Sequence, residues 1–236
     1  LEFEIKGNRS TEYATEVEGR GADAHHYSGR GLDGYISQAT VFADDNDNLI
    51  LDAGEAFTTT DAYGAFTLVG GAGKLVMIGG TDVTTGLVNT VVMSAVGGSS
   101  VISPVTTLAY HMFNSTELAL EEVIAKVAIE FDLAPGIDLS MYDPVQSALA
   151  GDTNATKIFA AGVEIQNSIV LMAAVVKNLT GSTMTDATEA LFSTLADKIF
   201  ANTSPESVLD TAADIKALIV NAIGSINTEH LNTKIV

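Results

Sequence analysis

Apolar residues change their spacing at Pro104, and that change constrains the fold more than any other property of the chain. From Asp33 to that point the sequence reads as short strands split by turns, at 35–42, 56–60, 65–69, 74–78 and 87–95. Beyond it the apolar spacing is helical. Leu120, Val123, Ile124, Val127 and Phe131 share one face of a helix expected to open near Asn114 or Ser115. A second stripe runs through Ile158, Ile165, Ile169, Met172, Val176 and Leu179, a third through Leu191, Phe192, Leu195 and Ile199, and a fourth through Leu209, Ile215, Leu218 and Ala222. Asp143 before Pro144, Asp186 with Glu189, and Ser204-Pro205 read as helix starts.

Strands with no helical period between them predict a small antiparallel β-sandwich, and amphipathic helices on short loops predict an antiparallel bundle. The expected fold class is therefore α+β. Residues 1–30 form an N-terminal strand and extended arm, 31–100 the sandwich, and 101–236 the bundle. Within the arm, Leu1, Phe3 and Ile5 alternate with Glu2, Glu4 and Lys6 as a half-buried strand does.

The most specific chemistry lies between two of the strands, in Asp44-Asp45-Asn46-Asp47-Asn48-Leu49-Ile50-Leu51-Asp52-Ala53-Gly54-Glu55. Counted from Asp44, side-chain oxygens fall at loop positions 1, 3, 5, 9 and 12, namely Asp44, Asn46, Asn48, Asp52 and Glu55, with the Ile50 carbonyl at position 7. That register wraps a hard cation with six or seven oxygens and closes on a carboxylate, so Ca²⁺ is the expected ligand. Position 6 departs from the pattern. A glycine there takes a sharp left-handed turn, and Leu49 would be strained by about 1 kcal/mol or more in doing so. Weak affinity is the expectation, of the grade that fills only outside cells.

Charge and composition agree with an extracellular reading. Thirty acidic residues against 11 basic ones give a formal net charge of −19, which repels phosphate backbones and argues against nucleic acid as a partner. With 47% hydrophobic residues the chain has ample material for a core. The absence of cysteine fits surface proteins in which bound calcium takes the place of disulfides. No run of 18 or more uninterrupted apolar residues occurs, so no membrane insertion is expected, and residues 1–7 lack the features of an export signal.

In residues 31–71 the chain resembles the calcium-binding B-type repeats of Gram-positive surface proteins. It is similar also to the transthyretin-like, or carboxypeptidase-regulatory-like, sandwiches of large secreted adhesins of marine bacteria. The resemblance is carried by Asp33-Gly34-Tyr35-Ile36, Ala39-Thr40-Val41-Phe42, the loop itself and Thr60-Asp61-Ala62-Tyr63-Gly64-Ala65-Phe66, and extends through the turn-rich stretch to about residue 112. It implies a bacterial extracellular or cell-surface location and calcium held by the loop. It also implies a further ligand at Asp61, the acidic residue of the following hairpin.

No GxSxG elbow, HExxH helix or phosphate-binding GxxxxGK[ST] loop is present, and His25 and His26 point to opposite sides of an extended backbone. The chain is expected not to be an enzyme. The leading expectation is a calcium-stabilised module acting in adhesion or matrix assembly, with other surface proteins, glycans or copies of itself as partners. The alternatives are a filament or surface-layer subunit that donates its N-terminal strand to a neighbour, and a carbohydrate-active enzyme built on two opposed carboxylates.

Overall fold

The structure, a computed structural model, describes residues 25–204 and 207–233. The strand expected at Leu1, Phe3 and Ile5 lies outside the described residues. Strands come first: β1 (His26–Gly31), β2 (Ile36–Ser37), β3 (Thr40–Asp44), β4 (Phe57–Thr59), β5 (Ala65–Val69), β6 (Lys74–Ile78), β7 (Thr81–Asp82), β8 (Met93–Ala95) and β9 (Val101–Ile102). Helices follow: α1 (Pro104–Ser115), α2 (Leu120–Glu130), α3 (Pro144–Leu149), α4 (Asn154–Thr180), α5 (Met184–Ala201) and α6 (Ala212–Thr233). The fold is thus mixed α and β, with strands and helices segregated along the chain.

The strands make three small sheets, ordered β5-β1-β9, β2-β7 and β4-β3-β6-β8. In the last, Asp44 at the end of β3 faces Lys74 at the start of β6, and Phe42 faces Phe57 of β4. The strands expected at 65–69 and 74–78 appear as β5 and β6. The expected strand at 35–42 is broken at Gln38, whose left-handed backbone (φ 57°) separates β2 from β3.

Several elements differ from the expectation: the strand expected at 87–95 is reduced to β8, and the helix expected to open near Asn114 or Ser115 opens at Leu120 as α2. Residues 26–31, assigned to an extended arm, form the central strand of a sheet, antiparallel to β5 and parallel to β9. Gly29 permits this, because a Cβ there would meet the Ser100 carbonyl oxygen at 2.2 Å. Another is α1, a helix of its own that ends at Ser115, where the helix of residues 120–131 was expected to open. It is buried on almost every side, from Pro104 through Tyr110 and again at Met112 and Phe113, so it shows no apolar stripe. Its start is fixed by Ser103, whose hydroxyl accepts from the Thr106 amide while the Thr106 hydroxyl accepts from the Ser103 amide. The Thr107 hydroxyl accepts from Ser94 N at 2.9 Å and so hooks the helix to β8.

That hook continues as packing. Tyr27, Val41, Leu75 and Met93 from the strands belong to the same buried cluster as Leu108, Met112, Ile169 and Leu195 from the helices. The boundary expected near residues 98–104 is a change of secondary structure across which the core runs on. The longest helix, α4, is long and apolar enough to cross a membrane by length and composition. Glu164, Gln166 and Asn167 hide that property from a search for uninterrupted apolar runs. Its face of Ile158, Ile165, Ile169, Met172 and Val176 is buried in the common core, while Leu179, expected in the same stripe, is exposed in the last turn.

Candidate cation-binding loop

The loop joining β3 to β4 is wound on its own polar groups. Asp44 is fully buried, and its two carboxylate oxygens accept from the amides of Asn48 at 3.1 Å and Leu49 at 2.8 Å. Those bonds draw the chain back over position 1 and set Leu49 in the left-handed region, with φ 62°. The turn that a glycine would take at position 6 is therefore made by a leucine, at a cost of about 1–2 kcal/mol. Packing offsets it: Leu49 and Leu51 lie against the small cluster of Phe42, Val76 and Val92.

Farther along, the side-chain amides of Asn46 and Asn48 both donate to one oxygen of Asp52 at 2.8 Å. These two bonds hold the Asp52 carboxyl below the usual carboxylate range. Glu55 closes the circuit, one oxygen accepting from the Asp45 amide at 3.0 Å and the other from the Asp52 amide at 2.9 Å. Asn46 and Asn48 thus both hold Asp52, while Asp44 and Glu55 accept from backbone amides of the loop. Ile50 donates its amide to Asn48 Oδ1 at 2.7 Å.

The donors suit a hard cation in type: carboxylates, amide oxygens and a carbonyl in one wrap. Among the described residues no group of three or more histidine, aspartate or glutamate side chains is arranged to hold a metal, so the loop's set depends on its two asparagines and a carbonyl. Asn48 spends its oxygen on Ile50 and turns its nitrogen toward Asp52, so presenting an oxygen there requires its amide to rotate.

Asp61 is placed elsewhere. Because β4 runs antiparallel to β3, residue 61 lies past the end of the ladder opposite the loop. Its carboxylate accepts from the amides of Tyr63 at 2.8 Å and Ala65 at 2.9 Å, bonds that lower its pKa and hold the β4–β5 turn. In this structure Asp61 fixes that turn, beyond the end of the β3–β4 ladder away from the loop.

One residue absent from the sequence reading completes the loop. Lys74 is buried, its ammonium bonded to Asp47 and 3.5 Å from Asp44 Oδ2. It sits 4.9 Å from the centre of the Tyr110 ring, and the Tyr110 hydroxyl donates to Asp47 at 2.8 Å. Burial first, then the charge of Asp47, pushes the Tyr110 hydroxyl pKa up. The signal for Lys74 was the cross-strand register that sets it opposite Asp44. Asp45 ties the loop down from the other side, accepting from the amides of Ala72 and Gly73 at 2.8 Å. Only glycine fits at 73, where a Cβ would meet the Asp44 carbonyl oxygen at 1.9 Å.

Between the loop and helices α1 and α5 lies a cleft of about 870 Å³, lined by Asp47, Asn48, Leu49 and Ile50 of the loop, His111 of α1, and Asp186 and Glu189 of α5. His111 stacks on Phe192, its Nε2 3.4 Å from Glu189 Oε2. Away from the loop, burial and the charge of Asp82 push the Asp33 carboxyl up to about 6. No family model, curated protein or solved structure matches the chain, so the resemblance of residues 31–112 rests on their motifs.

Proposed function

We propose that the chain is a non-enzymatic, calcium-braced module of a bacterial secreted or cell-surface protein, acting in adhesion or matrix assembly. The reading is carried by one observation: the loop takes the left-handed turn at position 6 despite having leucine there, with Asn46, Asn48 and Asp52 gathered on the same side. A chain accepts such strain where the surrounding structure over-determines it, commonly at a ligand clamp. Asp44, Asn46, Asn48, the Ile50 carbonyl, Asp52 and Glu55 would hold the ion, whose contribution is to neutralise their clustered charge. The three sheets read as a small sandwich and the helices behind them as an antiparallel bundle. With a core in common, a brace on the loop stiffens both.

Calcium that binds only the folded chain raises its stability by mass action. For a site of millimolar grade, tenfold excess calcium adds about 1.4 kcal/mol. The melting temperature in calcium should then exceed that in chelator by roughly 3–5 °C. Asp52→Asn should abolish most of the difference. Coincident melting curves for the parent chain in calcium and in chelator would overturn the reading.

A further inference from the structure

We infer that Lys74 is a built-in counter-cation of the acidic loop, which holds the loop closed without metal and, by occupying Asp44, weakens its affinity for calcium. The inference rests on the calcium reading of residues 44–55.

A lysine at the start of a strand ordinarily reaches for water. Lys74 instead has only 3% of its side chain exposed, opposite an Asp44 that is fully buried. Its ammonium is fixed from three directions: by Asp47 of the loop, by Asp44 at the end of β3, and by the face of Tyr110 on α1. The Tyr110 hydroxyl reaches the same Asp47 oxygen that the ammonium does, so helix, strand and loop converge on one carboxylate. A buried ammonium needs such partners, and their convergence keeps the loop wound around them.

The same geometry sets two cations in competition. Asp44 stands at position 1 of the calcium register, and its Oδ2 already faces the ammonium at 3.5 Å. A calcium ion about 2.4 Å from an Asp44 oxygen would share one carboxylate with that ammonium, a few ångströms away and out of bulk water, where like charges repel strongly. Asp47, at position 4, lies outside the register and has no reason to release Lys74. Calcium must therefore enter against a charge held in place.

The test is a calorimetric titration with calcium chloride of the parent chain, Lys74→Met and the double variant Asp47→Asn/Lys74→Met. The double variant keeps the loop's net charge and all six proposed ligands. Both variants should bind calcium at least tenfold more tightly than the parent, a change of about 1.4 kcal/mol. Their melting temperatures should also differ more between calcium and chelator. Damage to the fold alone would move the affinity the other way. Should Lys74→Met fail to fold in chelator, its folding in calcium supports the inference, and if it folds in neither buffer the double variant decides by the same tenfold criterion. Calcium binding by the parent with no gain in the variants overturns the role of Lys74 alone. No binding by any of the three overturns the calcium reading itself, and the inference with it.

Discussion

The strand half and the helical half of this molecule are held to their shapes by different means. In the strand half, single polar side chains fix the path of the backbone. The buried Thr60 hydroxyl accepts from Ala39 N at 2.9 Å and donates to the Ile36 carbonyl at 2.7 Å. Asn89 donates to the carbonyls of Gly79 and Val91 and accepts from the Val91 amide. Asp61 and Asp82 each fold a turn over their own carboxylate. In the helical half the chain follows apolar area, with Ile165, Ile169, Leu191, Phe192 and Leu218 buried at helical spacing. Among the described residues, single polar side chains set the turns between the short strands, whereas the longer helices lay stripes of apolar residues against the shared core. The two halves should therefore fail differently.

The largest effect is expected in the helices. Phe192 is fully buried in α5, and Phe192→Ala should cost about 3–5 kcal/mol by loss of transfer energy and creation of a cavity. Because the core is continuous, the loss should appear as one lowered transition by both circular dichroism and tyrosine fluorescence. Two separate transitions would show that the halves are independent after all. Thr60→Val, nearly the same shape, should cost about 2 kcal/mol in chemical denaturation, since it strips a buried amide and a buried carbonyl of their partner. A change below the measurement error would mean that area governs the strands as well.

The smallest effect depends on pH. With its folded-state pKa pushed up to about 6, Asp33 binds its proton more tightly in the folded chain than in the unfolded one. Its contribution therefore favours folding as pH falls from about 6 toward the ordinary carboxylate value near 4, and opposes it above 6. Asp33→Asn should flatten that part of the stability profile and stabilise the chain at neutral pH by about 1 kcal/mol, a value reduced for partial exposure to solvent. An unaltered profile between pH 4 and 7 would exclude Asp33 as a source.

What the sequence made legible follows from the same division. The α4 stripe and the proline-started α3 could be read because helical period and caps are local signals, and Asp143 does accept from the amides of Val145 and Gln146. The wrap of the loop was legible for a similar reason, since Asp44, Asn46, Asn48, Asp52 and Glu55 lie within one short segment. Long-range features were not legible. α1 shows no stripe because nearly all of it is buried, and Lys74 becomes part of the loop only once β6 pairs with β3. Asp61 follows the loop closely in sequence, and only the antiparallel pairing of β4 with β3 shows that it lies toward the opposite end of the ladder.

The placement of β1 has a consequence for how the molecule assembles. Emerging first among the described strands, its segment HYSGRG must wait for β5 and then for β9, the last of them, before its hydrogen bonds can close. Closure over that span is slow compared with the pairing of β3, β4 and β6. A segment that stays unpaired while the chain is being made is safest when it is poor in apolar residues and rich in glycine, and Tyr27 is the only large apolar residue in it. The composition that makes β1 hard to recognise as a strand is also what lets it arrive late without seeding aggregation.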